Sequence, residues 1–330
     1  MLGRARHKSK TRKDDDMAKY LVTGGAGFIG CNLVRYILKK GHEVVVLDNF
    51  ATGKRENIAE IVDQITLIEG DIRNRETVDR AVAGCTAIFH EAALGSVPRS
   101  VEDPVTSHDV NVNGTITVLE AARAAGVKRL IFAASSSAYG DQEESPKHEQ
   151  MVPRPISPYA ASKLACESYL RAYAAVYGME TLCLRYFNVF GPYQDPFGAY
   201  AAVIPAFVSC LLKGKKPAVF GTGEQSRDFC FIQNVCFANW LAATAPAGAC
   251  RGQAVNIACH KATTLNQILD QLRSLLDVKV QAEYREMRRG DVMHSMADVS
   301  LAKETIGYEP QVYFEEGLQK AIDWYRKNLS

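Results

Sequence analysis

From Lys19 onward the chain alternates between two hydrophobic rhythms. Short runs rich in Val, Ile and Leu occur at 19–23 (KYLVT), 43–48 (EVVVLD), 65–71 (ITLIEGD), 87–93 (AIFHEAA), 129–136 (RLIFAASS) and 180–186 (ETLCLRY). They are apolar on both faces, which predicts strands buried inside a sheet. Between them FIGCNLVRYILKKG, the segment near 75–84, PVTSHDVNVNGTITVLEAARAAG and PYAASKLACESYLRAYAAVYG carry apolar residues at helical spacing. Strands separated by helices imply an α/β fold, a doubly wound parallel sheet with helices on both sides. After Asn188 the rhythm breaks: Gly and Pro become frequent (FGPYQDPFGAY) and the elements shorten. The pattern therefore predicts a large domain over 17–188 and a smaller, discontinuous C-terminal lobe over 189–330, with some late segments returning to the large domain.

Composition narrows the class. The chain has 330 residues, 47% apolar and 23% charged, enough for a two-lobed folded protein. Residues 1–16 carry six Lys/Arg and three Asp but almost nothing apolar, so they read as a disordered arm ahead of Met17. Outside the arm the acids and bases nearly cancel, and no basic face invites nucleic acid. No apolar run approaches the ~18 residues of a membrane span. Nine scattered cysteines with no CxxC pair read as buried, reduced thiols of a cytoplasmic protein and not as disulfides or a metal site.

Chemistry enters at the first strand–helix turn. Gly24-Gly25-Ala26-Gly27-Phe28-Ile29-Gly30 lies where backbone must approach a pyrophosphate and a helix N-terminus must face it. Asp48 ends the second strand, 18 residues after Gly30. A carboxylate there accepts from both ribose hydroxyls and repels a 2′-phosphate, so the expected cofactor is NAD. Asn49 follows it, and Asp71 and Ile72, after the third strand, are expected to flank the adenine.

Tyr159-Ala-Ala-Ser-Lys163 sits on a predicted helix that begins after Ser157-Pro158. Residues four apart share a helix face. A free phenol titrates near pH ~10, so a tyrosinate at neutral pH needs ~4 kcal/mol of differential stabilisation. The Lys163 ammonium and a cationic nicotinamide can supply it. Ser135 ends the fifth strand, on the sheet edge where such folds bind ligands, and can share the reacting proton.

The GxxGxxG spacing followed by Tyr-x-x-x-Lys resembles the extended short-chain dehydrogenases/reductases from Lys19 to about Trp324. The resemblance implies that Ala92 and Tyr186 line the cofactor site and that Lys163 holds the nicotinamide ribose. Sugar-nucleotide 4,6-dehydratases of this superfamily carry Thr-Asp-Glu where this chain has Ser135, Ser136 and Ser137, so dehydration is not expected. RYFNVFGP (185–192), AYAAVIP (199–205), FGTGEQSRDF (220–229) and RRGDVMHS (288–295) are similar to the UDP-hexose 4-epimerases. That similarity implies Asn188 near the diphosphate or uridine, Val203 and Phe220 on the uracil, Arg227 and Arg288 on the diphosphate, and Asp291 on the uridine ribose.

ALGSVPRS (93–100), SSSAYGD (135–141) and QDPFGAYAAVIP (194–205) resemble most closely the 4-epimerases of N-acetylated UDP-sugars or their uronic acids. Ser96 and the serines 135–137 are then expected to contact the sugar, and Ser295 leaves room at its C-2 substituent, where glucose/galactose enzymes have Tyr. The implied reaction has no net redox: tyrosinate takes the 4-hydroxyl proton, NAD accepts the hydride, the 4-keto sugar turns over, and the hydride returns to its other face. The rivals are epimerisation of UDP-glucose, epimerisation or decarboxylation of UDP-glucuronate, and an NAD-sensing protein without catalysis. A homodimer through helices near 104–125 and 158–177 is also implied. His90 reads as a strand-end residue, not a catalyst or metal ligand.

Overall fold

The computed structural model describes residues 17–195, 202–286 and 293–329. The six predicted strands form as β1 (Lys19–Thr23), β2 (Glu43–Asp48), β3 (Thr66–Glu69), β4 (Ala87–His90), β5 (Arg129–Ser135) and β6 (Glu180–Tyr186). The helices between them are α1 (Phe28–Lys39), α2 (Arg75–Val82), α3 (Val97–Glu102), α4 (Pro104–His108), α5 (Gly114–Ala124) and α6 (Pro158–Tyr177). β3, β4 and β5 end short of their predicted limits, because the chain there turns away from the sheet edge. The run predicted as one helix from Pro104 is divided by a π-helical turn, Asp109–Asn113, between α4 and α5.

The rest of the chain builds β7 (Val189–Phe190), α7 (Val203–Leu212), β8 (Ala218–Phe220), β9 (Ser226–Asp228), β10 (Cys230–Phe231), α8 (Ile232–Thr244) and β11 (Ala254–Ile257). It continues as β12 (Ala262–Thr264), α9 (Leu265–Leu276), β13 (Glu283–Arg285), β14 (His294–Ser295), α10 (Ser300–Ile306) and α11 (Phe314–Leu329). β11 returns to the large sheet and pairs in parallel with β6, giving seven parallel strands in the order β11-β6-β5-β4-β1-β2-β3.

Strand alternation builds two cores. Tyr20, Val22, Val46 and Phe89 face α1 and α8, whereas Leu21, Leu47, Ile88 and Phe132 face α2, α5 and α6. The first layer runs without a break into the C-terminal lobe through Phe207, Leu211, Ile268 and Tyr325. In that lobe β9 is the middle strand of a three-stranded sheet, antiparallel to β12 and parallel to β14. All nine cysteines are free and eight are buried. Burial pushes the Cys31 thiol up to about 12 and those of Cys85 and Cys250 up to about 11, which leaves them unreactive. Among the described residues no helix is long and apolar enough to cross a membrane, and no cluster of His, Cys, Asp and Glu is arranged to hold a metal.

Candidate active site

The carboxyl ends of the parallel strands collect most of the predicted residues on one edge of the sheet. The glycine turn follows β1. Gly24 has φ +68°, and a Cβ there would stand 2.8 Å from the backbone of Ala92. A Cβ on Gly30 would overlap the carbonyl oxygen of Gly24. Both positions need glycine for the turn to close. Gly27 is the N-cap of α1 and offers no side-chain cap, so the first amides of the helix, at Phe28 and Ile29, remain open to an anion.

Asp48 holds this turn as well as facing it. Its carboxylate accepts from the amides of Ala26 (2.9 Å) and Phe50 (2.8 Å). Each oxygen keeps a further lone pair for a ribose hydroxyl. Beside it, Asn49 donates to Asp71 at 3.0 Å, and Arg73 pairs with Asp71 at 2.8 Å. The Arg73 guanidinium brings the Asp71 carboxyl down to about 2. Ile72 is buried against Gly114. Ala92 donates its amide to Thr23, which ties the end of β4 to the end of β1.

α6 starts where its sequence dictates. Ser157 caps it by accepting from Ala160 at 3.1 Å, Pro158 occupies the first turn, and Gly178 ends it with a left-handed φ of +67°. Tyr159 therefore stands in the first turn, half-buried, with its amide donating to Ser100 Oγ at 3.0 Å. Lys163 comes one turn later on the buried face, among Ala160, Ser162 and Cys166. Its ammonium donates to the carbonyl of Ala133 at 2.7 Å and lies 4.6 Å from the centre of the Phe132 ring. A lysine is rarely buried without a purpose for its charge. Two residues beyond Ala133, Ser135 Oγ accepts from the hydroxyl (2.9 Å) and the amide (3.2 Å) of Ser137. Ser136 and Ser137 follow in a short 3₁₀ turn.

Three supporting residues escaped the sequence reading. Asn111, in the π-helical turn, accepts from the Leu94 amide at 2.8 Å and donates to Ser162 at 3.0 Å. It thereby fixes the loop after β4 to α6 next to Lys163. An Asn inside an apolar helical run is the signal that could have found it, because a buried amide must have partners. Ser100 is the second, holding the start of α6 through the Tyr159 amide. Glu91 is the third: it accepts from the Tyr186 hydroxyl at 2.9 Å, and Asn239 donates to the same hydroxyl at 2.8 Å. His90, the last residue of β4, is fully buried between Thr23 (2.7 Å) and Thr115 (3.0 Å).

The substrate set is divided. Ser96 caps α3 by accepting from Arg99, on the loop that follows β4. Asn188 follows β6 and donates to the Asp228 carbonyl at 3.1 Å, bridging the sheet edge to β9. Val203 opens α7, Phe220 ends β8, Arg227 lies in β9 and Ser295 in β14, all half-buried. Arg288 and Asp291 lie outside the described residues.

The model of the NAD dependent epimerase/dehydratase family matches residues 20–258, from β1 to the residue after β11. The chain belongs to this family. UDP-glucose 4-epimerase of Mycolicibacterium smegmatis is 38% identical over 315 residues, covering 93% of this chain and 98% of that protein. The structure is similar to UDP-N-acetylglucosamine 4-epimerase from Methanobrevibacter ruminantium in complex with UDP-N-acetylmuramic acid, with TM-score 0.88, 35% identity, and 94% and 99% of the two chains covered. It is also similar to the Thermus thermophilus UDP-glucose 4-epimerase complex with NAD, with TM-score 0.84, 36% identity, and coverage of 94% and 99%.

As a member of the NAD dependent epimerase/dehydratase family the chain uses NAD, and its residues fit that cofactor. The turn at Gly24 and Gly30 tolerates no Cβ, the first amides of α1 are uncapped, and Asp48 ends β2 with acceptor capacity to spare.

Proposed function

We propose that the protein is an NAD-dependent UDP-sugar 4-epimerase whose substrates are UDP-N-acetylglucosamine and UDP-N-acetylgalactosamine or their uronic acids. The observation that carries the reading is buried Lys163, one helical turn after Tyr159 on α6, with its ammonium on the carbonyl of Ala133, two residues before Ser135 at the end of β5. Bound NAD supplies the two-electron acceptor and donor that inversion at C-4 requires.

The protein's own part is proton handling and positioning. The Lys163 ammonium, held by the Ala133 carbonyl, stabilises the anionic form of Tyr159, which removes the 4-hydroxyl proton and later returns it. Ser135 hydrogen-bonds the reacting oxygen, with Ser137 donating to Ser135 in turn. Arg227 and Arg288 neutralise the diphosphate, since guanidinium forks match phosphate oxygens. Rotation of the 4-keto sugar between the two transfers requires that the nucleotide half stay bound, and Asn188, Val203, Phe220 and Asp291 serve that end. Ser295 leaves space for the C-2 N-acetyl group. The resemblance of ALGSVPRS (93–100), SSSAYGD (135–141) and QDPFGAYAAVIP (194–205) to enzymes of N-acetylated UDP-sugars and the small side chain at 295 support this choice over UDP-glucose.

A homodimer is part of the proposal. Val97, Val101, Val105, Tyr169, Val176 and Tyr177 are exposed on α3, α4 and α6, an apolar face that suits pairing with a second copy.

The test is direct. Purified enzyme is incubated separately with UDP-glucose, UDP-N-acetylglucosamine and the corresponding uronic acids, and C-4 epimers are resolved by NMR. Conversion of the N-acetylated sugars is expected; conversion of UDP-glucose alone, or release of CO2 from UDP-glucuronate, would replace the substrate named here.

A further inference from the structure

Glu91 is the acid of the active-site edge that the reaction scheme leaves unused. It follows β4 directly, and its carbonyl carbon would be 3.1 Å from a Cβ on Gly24, so its backbone lies against the dinucleotide turn. The side chain goes the other way from His90, into the layer occupied by α8. One carboxylate oxygen accepts from Tyr186, and Tyr186 is the register partner of Ser135 across the β5–β6 pair. The other oxygen is buried and has no hydrogen-bond partner among the described residues.

A carboxylate in that position is costly. It has given up water, it receives one hydroxyl hydrogen bond, and among the described residues no guanidinium or ammonium pairs with it. The titratable groups that face it are the Tyr186 hydroxyl from β6, the Lys163 ammonium from α6 and the Cys236 thiol from α8. Burial raises Glu91 to about 7, against the opposing pull of Tyr186 and Lys163. Its charge is thus balanced, and a cation gained or lost nearby decides it. With NAD seated on the Gly24 turn, against which the Glu91 backbone lies, the nicotinamide ring would be such a group, cationic when oxidised and neutral when reduced.

We propose that Glu91 is a positioning charge for the cofactor's redox state, which as a buried carboxylate favours the oxidised ring. When bound NAD is reduced, the ring takes up two electrons and one proton and loses its positive charge, and Glu91 then takes a further proton from solvent. An enzyme that must regain the oxidised cofactor in each cycle benefits from this bias. The inference rests on the cofactor alone and not on the identity of the sugar.

The experiment uses holoenzyme without sugar. Bound cofactor is equilibrated at pH 8 with a redox dye of known potential, and the reduced fraction is read by absorbance in wild type and in Glu91→Gln. At a fixed potential the ratio of reduced to oxidised cofactor is expected to rise about tenfold in the variant, ~30 mV for a two-electron couple. An unchanged ratio overturns the proposal. Should the variant fold poorly, the wild-type protein decides by itself. A reduced-minus-oxidised infrared spectrum at neutral pH is expected to gain a protonated-carboxyl band, and its absence also overturns the proposal. A protein that shows both effects yet epimerises no UDP-sugar would unseat the proposed substrate and leave this inference standing.

Discussion

Arg227 of β9 and Ser295 of β14 are register partners in a parallel pair, so their side chains leave the sheet on the same face. Ser226 and Asp228 point the opposite way and are buried. The arginine proposed for the diphosphate and the small residue proposed to admit the sugar's C-2 substituent are therefore neighbours. The arginine is steadied by the carbonyls of Ser226 (2.9 Å) and Met293 (3.3 Å).

Replacement of Ser295 by Tyr tests that adjacency. The ring would occupy the space beside Arg227 without touching Ser135, Tyr159 or Lys163. Turnover of UDP-N-acetylglucosamine is expected to be abolished while any UDP-glucose activity persists, because exclusion by bulk penalises only the larger substrate. The readout is kcat/KM for both sugars in both proteins. An unchanged ratio would remove Ser295 from the pocket wall.

Tyr159→Phe deletes the proposed proton acceptor and keeps the ring. Bound NAD and UDP-sugar affinity should remain, while kcat falls by ~100-fold or more, the usual scale for lost acid–base catalysis. Single-turnover spectra of the bound cofactor provide the check. Near-normal turnover would transfer the proton step to another group.

Arg227→Ala should weaken the binding of free UDP by ~1.5–3 kcal/mol, the range for a charged hydrogen bond. Calorimetry on folded variant and wild type measures it, and Arg288→Ala is expected to behave alike. If both variants bind UDP normally, the nucleotide half of the site lies elsewhere.

His90 sets a pH dependence of stability. Burial, with Lys163 adding to it, brings its imidazole down to about 3, whereas an unfolded histidine titrates near 6.5. Its contribution is fully present above the unfolded value and is lost as pH falls from about 6.5 toward 3, because only the unfolded chain takes the proton. Between pH 7 and pH 5 the wild type should lose about 2 kcal/mol more than His90→Gln, which keeps a donor and an acceptor between Thr23 and Thr115. Urea midpoints at the two pH values give the comparison. Parallel losses in both proteins would assign the acid sensitivity to other groups.

The sheet was legible in the sequence because its strands are buried on both faces, which leaves uninterrupted β-branched runs such as VVVL in β2. β11 was not: four residues, AVNI, follow a polar loop and pair with a strand some seventy positions earlier, and local pattern carries no trace of so distant a partner. The π-helical turn was hidden for a related reason, since DVNVNG keeps a helical rhythm and only its geometry reveals the added residue. At the site, glycine spacing and the Tyr–Lys interval pointed to the cofactor edge directly. The bonds that brace it, from Asn111, Ser100 and Glu91, join elements far apart in the chain. Of the residues that resemblance alone assigned to the substrate, Phe220, Arg227 and Ser295 lie in short strands whose own pattern is silent.

The position of β11 also bears on how the protein is made. Until residue 257 has left the ribosome, β6 presents a bare row of backbone donors and acceptors, and an open strand edge is a template for pairing with other chains. Tyr186, next to Ser135, lies on that edge and pairs with Ile257. That flank of the sheet is thus covered late in synthesis by β11, so a fragment ended after β6 would carry Ser135, Tyr159 and Lys163 and still lack the neighbour that closes its sheet.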